Sequence, residues 1–404
     1  MKRIYTELIQ YHLKEYSQMV FLGGARQVGK TTIAKDILQK INGIYLNWDA
    51  PQNRDIILNR LDKTLSEKMP PTLSHSQGLL ILDEIHKYKD WKNHLKGIYD
   101  TLQDSVKIIV TGSARLDLYK KGGDSLMGRY FPYTIHPFSV RELVSSSVNM
   151  QDPLLIQEPK EISSDLFDAL WTFGGFPEPL IRQNKRFHTL WKSTRFQQLF
   201  REDIRDMDSI RDLSQLELLA IILERQAGQL LNYTTLSTHV RVSDNTIRRW
   251  IEVLENFYFC FKISPWSHNI SRSLLKDPKI YLWDWSTIED KGARFENFIA
   301  SHLLKAISFW KEIGLGNFGL HFCRTKDQKE VDFLVTQDQK PWILIEAKYG
   351  DSSRLSPSLV EFQKLLQAPH ALQVVFNMPY VHKSCFEFHS PMIVPAKTFL
   401  SQLI

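Results

Sequence analysis

Along the first third of the chain, short apolar runs alternate with stretches whose apolar positions recur at helical spacing. QMVFLGG (18–24), GIYLNWD (43–49), GLLILDE (78–84) and KIIVTGS (107–113) read as strands, and TTIAKDILQK (31–40) reads as a helix. Strands separated by helices predict parallel βαβ units with both sheet faces covered. From about Phe138 the pattern becomes helical, with a loop over 145–160 and a turn at FGGFPEP (173–179). LSQLELLAIILERQAG (213–228), TTLSTHV (234–240) and SDNTIRRWIEVLENF (243–257) then predict three helices, with Ser243 as the cap of the third. FYFCFKIS (257–264) alternates like a hairpin strand. The remainder predicts a helix over 294–307, strands VDFLV (331–335) and WILIEAK (342–348), and a helix over 359–367.

The first strand runs into Gly24, Ala25, Arg26, Gln27, Val28, Gly29, Lys30, Thr31 and Thr32, which fits G-x-x-x-x-G-K-[ST] between a strand and a helix. Glycines let backbone N–H groups encircle phosphate oxygens, and the helix start adds partial positive charge. Lys30 would reach the terminal phosphates and the Thr31 hydroxyl would ligate Mg²⁺. The run Leu79–Leu82 delivers Asp83 to the metal shell and Glu84 to the attacking water. Thr111 or Ser113, at the end of the next strand, would contact the γ-phosphate or the water, and the sequence does not choose between them. Arg129 is the candidate arginine finger, a guanidinium that stabilises transition-state charge.

Composition changes this picture little. Of 404 residues, 43% are hydrophobic and 24% charged, which excludes a disordered or low-complexity chain. The net charge of +6 permits a nucleic-acid partner without requiring one. Cys260, Cys323 and Cys385 lie far apart, which argues against a disulfide framework or a structural zinc. His86 has no second imidazole at ligand spacing, and Asp49 reads as a strand-end residue. No apolar run approaches the ~18 residues of a membrane span. The expectation is a reducing, cytoplasmic setting with no membrane.

Two further constellations carry chemistry. Residues 213–263 follow the order of a winged helix-turn-helix, in which one helix enters the major groove and basic groups fix it to phosphates. Arg241, Asn245, Arg248 and Arg249 are the candidate DNA contacts, on or beside a helix that packs through Ile247, Ile251 and Leu254. Nearer the end, Asp332, Glu346 and Lys348, with Glu296 on the preceding helix, resemble the D…E-x-K metal site of restriction-endonuclease-like nucleases. Carboxylate oxygens would hold Mg²⁺ there, and Lys348 would position the water or stabilise developing charge. Glu330 is a neighbouring carboxylate, and Arg324, Lys326 and Lys329 read as a solvated hairpin.

GARQVGKTT, LDEIHK with Trp91 and Lys96, VTGSA, GRYF, PFSVREL and FGGFPEPL resemble, in order, the signature blocks of prokaryotic AAA+-type ATPases that carry a C-terminal restriction-endonuclease-like domain of unknown function. Ala114 departs from the pattern, since that family often has a second serine there. The resemblance implies ATP binding and an AAA+ core with a helical lid. The expected organisation is an AAA+-like α/β ATPase core over 1–144, a helical lid over 145–212, a winged helix-turn-helix over 213–270 and a restriction-endonuclease-like α/β domain over 271–404. The expected activity is ATP hydrolysis with Mg²⁺, acting on DNA, with metal-dependent nuclease activity as a further expectation. A non-nucleolytic ATP-gated DNA switch, or a signalling ATPase whose winged helix contacts protein, are the alternatives. A homo-oligomer is compatible with each.

Overall fold

Each apolar run of the first third forms a strand of one parallel sheet: β1 (Met19–Gly24), β2 (Gly43–Asn47), β3 (Gly78–Asp83) and β4 (Val106–Thr111). A fifth strand, β5 (Tyr130–Ile135), completes the order β2-β3-β4-β1-β5. Its proline at 132 hides it from a pattern reading, but β5 is an edge strand, where a missing N–H is tolerated. The computed structural model describes residues 1–68, 77–112, 126–205, 212–267, 277–325, 327–350 and 353–404. These divide into two units, residues 1–136 with 146–153 and residues 137–145 with 154–404.

In the first unit, Phe21, Leu80, Leu82 and Val110 are buried together with Ile57, Trp91 and Leu95. The helix Lys30–Leu38 buries Ile33, Ala34 and Ile37. Parallel register sets Asn47 beside Asp83 and Asp83 beside Thr111, so these polar groups share the carboxyl edge of the sheet. Gly24 ends β1 at φ +133°, and a Cβ there would lie 2.5 Å from the Ile135 carbonyl oxygen. No other residue could pass so close to β5 and still turn into the loop.

The second unit carries a seven-stranded sheet in the order β12-β11-β10-β9-β8-β6-β7. Its strands are β6 (Cys260–Pro265), β7 (Lys279–Leu282), β8 (Phe318–Arg324), β9 (Glu330–Gln337), β10 (Lys340–Lys348), β11 (His370–Val375) and β12 (Met392–Pro395). The 22-residue helix Lys291–Glu312 packs on β7, β8 and β10. The helix Pro357–Leu366 links the parallel pair β10 and β11. The helices Leu213–Arg225, Tyr233–Val240 and Asp244–Asn256 form as expected, and β6 and β7 follow them as an antiparallel pair. That pair also joins the large sheet through β8, so a boundary at residue 270 separates two paired strands.

Of the stretch expected as a helical lid, residues from 154 on pack within the second unit. Phe167 meets Phe298 edge-on at 5.9 Å, Trp171 stacks on Tyr349 at 5.8 Å, and the Trp285 indole N–H donates to the Leu170 carbonyl at 3.0 Å. The aromatic face of Ser164–Phe173 therefore finds its partners on the Lys291–Glu312 helix and around it. Among the described residues, no helix is long and apolar enough to cross a membrane.

Candidate functional site

The loop between β1 and the helix Lys30–Leu38 is built by two left-handed residues, Gln27 (φ +64°) and Gly29 (φ +103°). It brings the Lys30 ammonium back over the loop, where it donates to the carbonyls of Gly24 at 2.9 Å and Ala25 at 2.8 Å. Thr31 follows on the first turn, and its hydroxyl donates to Asp83 Oδ2 at 3.1 Å. Tyr45 donates to the same oxygen at 2.5 Å, and Thr111 donates to Asp83 Oδ1. Tyr45 and its short bond were not visible in the motif, because β2 reaches Asp83 only through sheet register. Burial and the Asp83 bond together push the Tyr45 phenol far above its ordinary pKa, so it serves as a fixed donor.

Glu84 occupies the left-handed region at φ +59°, its N–H held by the Thr111 carbonyl at 3.0 Å. A glutamate in that conformation is uncommon, and such strain concentrates at functional positions. Its carboxylate lies 3.5 Å from both His86 Nε2 and Lys87 Nζ. Burial raises its pKa above the usual carboxylate range, with Lys87 opposing. Lys87 is also paired with Asp49 at 2.6 Å, the structural role expected for that aspartate. Hard oxygens from Thr31 and Asp83 suit Mg²⁺, and the amino end of a nine-residue helix suits phosphate. Ser113, the alternative to Thr111, lies outside the described residues.

Residues 16–144 match the family model described as an AAA domain. The amino-terminal unit holds an AAA-type P-loop domain. Residues 164–289 and 291–385 match two models described as domains of unknown function, DUF8612 and DUF4143. An uncharacterized protein of Haemophilus influenzae is 24% identical over 351 residues, covering 81% of this chain and 81% of its own. The uncharacterized protein Rv2008c of Mycobacterium tuberculosis is 23% identical over 339 residues, covering 80% of this chain and 69% of its own. Among solved structures, the Walker-type ATPase PABY2304 of Pyrococcus abyssi aligns over 70% of this chain and 93% of its own, with 14% identity and a TM-score of 0.43.

Within the AAA-type domain, Arg129 is not near the phosphate loop of its own chain. It precedes β5, whose register pairs Tyr130 with Met19 and Ile135 with Gly24, so it lies at the opposite sheet edge. There it forms a two-pronged bond with Asp100 at 2.8 and 3.0 Å. A finger role within one chain is excluded by strand geometry.

In the second unit, Glu296, Asp332, Glu346 and Lys348 lie close enough to feel one another's charges. Asp332 Oδ2 accepts from the Ala347 N–H at 2.8 Å, and Lys348 pairs with Glu346 Oε1 at 2.7 Å. Between Glu296, Glu330 and Asp332 stands a residue that the sequence did not flag, Lys279, first in β7. Its ammonium is 3.0 Å from Glu296, 2.6 Å from Glu330 and 3.9 Å from Asp332, and its side chain is only 5% exposed. Tyr281 adds a hydroxyl to Glu296 at 2.7 Å. Burial works against the Lys279 charge, but Glu296, Asp332 and Glu330 overcome it and hold the pKa above its ordinary value. Burial, followed by the charges of Glu296 and Glu346, holds the Asp332 carboxyl well above the usual range. Glu346 Oε2 is buried with no hydrogen-bond partner among the described residues.

These residues do not fit a divalent ion as they stand. Among the described residues, no group of three or more His, Cys, Asp or Glu side chains could hold one. A dication about 4 Å from the Lys279 ammonium would meet repulsion of roughly 8 kcal/mol at an effective dielectric near 20.

The candidate DNA helix, Asp244–Asn256, is capped by Ser243, whose Oγ accepts from the Thr246 N–H at 3.2 Å. It buries Ile247, Trp250, Ile251 and Leu254 and leaves Asn245, Arg248 and Arg249 exposed. Arg241, also exposed, takes a left-handed conformation at the end of the preceding helix. Arg248 differs from the others: its guanidinium lies 3.7 Å from the Tyr233 ring centre, a cation–π contact within the helical unit.

Proposed function

We propose that this protein binds ATP with Mg²⁺ in the AAA-type domain, hydrolyses it, and uses the nucleotide cycle to change contacts with duplex DNA. The carrying observation is the convergence of Lys30, Thr31, Asp83 and Glu84 on the carboxyl edge of one parallel sheet, with Thr31 and Asp83 3.1 Å apart. In this reading Lys30 exchanges its loop carbonyls for phosphate oxygens. Asp83 and Thr31 hold the metal, which neutralises phosphate charge when bound. Thr111 keeps Asp83 oriented. Glu84 orients the water and takes up its proton, a role suited to a carboxylate whose pKa lies above the usual range.

The DNA part of the reading is supported by Arg241, Asn245 and Arg249, which lie exposed around a helix whose opposite face is buried. It is a non-nucleolytic reading, because Lys279 stands among the acids that a nuclease would need for metal.

One experiment tests both parts. Fluorescence anisotropy of labelled duplex DNA is followed with ATP alongside phosphate release, for the wild type, Lys30→Ala and Glu84→Gln. Lys30→Ala should lose nucleotide binding. Glu84→Gln should bind ATP as the wild type does while turnover falls on the order of 10²-fold or more. It should hold the DNA affinity of the ATP state. Normal turnover by Glu84→Gln would overturn its role, and nucleotide binding without any DNA binding would favour the signalling alternative.

A further inference from the structure

The carboxylate centre of the second unit is built around an internal cation. Glu296 comes from the long helix Lys291–Glu312, Glu330 and Asp332 from β9, and Glu346 from β10. Side chains two apart on a strand share a face, so β9 turns both of its acids the same way. β7 then runs past this group with Lys279 at its first position. The Lys279 ammonium touches Glu296 and Glu330 at hydrogen-bond distance, with Asp332 just beyond. Tyr281, two residues further on the same strand, donates to the oxygen of Glu296 that Lys279 also reaches. Glu346 is separately paired with Lys348.

We propose that Lys279 takes the place of a divalent cation at this centre, so that Glu296, Glu330 and Asp332 gather around an ammonium rather than a metal, with Glu346 held by Lys348. Burial of several carboxylates together is unfavourable without compensating positive charge. Two lysines carried on the sheet itself supply that charge permanently, and the centre then requires no metal to hold its geometry. Lys279 thereby ties β7 to the long helix and to β9 by ion pairs, while Lys348 pairs with Glu346 within β10. An ammonium has no empty coordination position at which water could be acidified, so such a centre is a structural node. This inference is independent of the nucleotide reading, which concerns the other unit.

The test is Mn²⁺ binding to the full chain without nucleotide, followed by electron paramagnetic resonance of free Mn²⁺. The wild type and Asp332→Asn should bind Mn²⁺ identically, because no ion sits at the centre in either. Lys279→Gln should bind one additional Mn²⁺, and Lys279→Gln combined with Asp332→Asn should lose it. Circular dichroism melts establish that each variant is folded. Wild-type Mn²⁺ binding that Asp332→Asn abolishes would overturn the proposal, as would a folded Lys279→Gln with no added site. Should Lys279→Gln fail to fold, the comparison of the wild type with Asp332→Asn decides the question alone.

Discussion

At the residue scale, a second polar cluster of the carboxyl-terminal unit has a consequence for stability. Asp284 accepts from the Ser286 hydroxyl at 2.6 Å and lies 3.6 Å from Arg195. Ser286 in turn meets His188 at 3.0 Å, and a Cβ on Gly174 of the FGGFPEP block would sit 2.8 Å from Asp284 Oδ1. Ser286 spends its proton on Asp284, so this trio orders the fold and does not make a nucleophile. Beside it, Glu224 has its pKa raised to about 7, first by burial and then by the charge of Asp284. The folded state thus binds this proton more tightly than the unfolded state does. The cost of charging Glu224 grows as pH rises from the unfolded value and is complete above about 7. Discounted for partial exposure, it comes to about 1–3 kcal/mol. Glu224→Gln should therefore raise the melting temperature at pH 8 and change it little at pH 5. Equal shifts at both pH values would remove charge as the cause.

At the element scale, the arginines on and just before the helix Asp244–Asn256 differ in their surroundings. All of Arg241, Arg248 and Arg249 are exposed, but the Arg248 guanidinium is stacked on Tyr233. If phosphates are bound here, replacing Arg241 and Arg249 by alanine should lower the slope of log affinity against log salt by roughly two units, while Arg248→Ala should mainly lower stability. A salt series of duplex binding checks this, and an unchanged slope would remove Arg241 and Arg249 from the interface. Spacing alone placed Arg248 and Arg249 off the buried face. It could not reveal that an aromatic ring on the neighbouring helix captures one of them. β5 illustrates the same limit for strands, since its proline argues against a strand until its edge position is known.

At the scale of the whole molecule, the parallel sheet separates the phosphate loop from Arg129 by the length of a strand. Six residues at about 3.3 Å each put them close to 20 Å apart. Only a second copy of the chain could bring Arg129 to a nucleotide, after release from Asp100. If that happens, specific ATPase activity should rise with protein concentration, and Arg129→Ala should flatten the rise. Activity independent of concentration in the wild type would leave Arg129 as a partner of Asp100 alone.

The chain's order of residues determined the βαβ rhythm, the phosphate loop, the acids after Leu82 and the Ser243 cap. Each depends on neighbours a few positions apart, where backbone geometry and side-chain periodicity act directly. Tertiary structure decided what depends on register and packing between distant segments. Tyr45 reaches Asp83 from the adjacent strand, the Ser164–Phe173 helix packs on aromatic groups more than a hundred residues away, and Lys279 arrives among acids from a helix and from β9, a strand that is not its sheet neighbour. The reason is electrostatic and steric: an isolated lysine in sequence carries no mark of the carboxylates it will neutralise until folding removes the water between them.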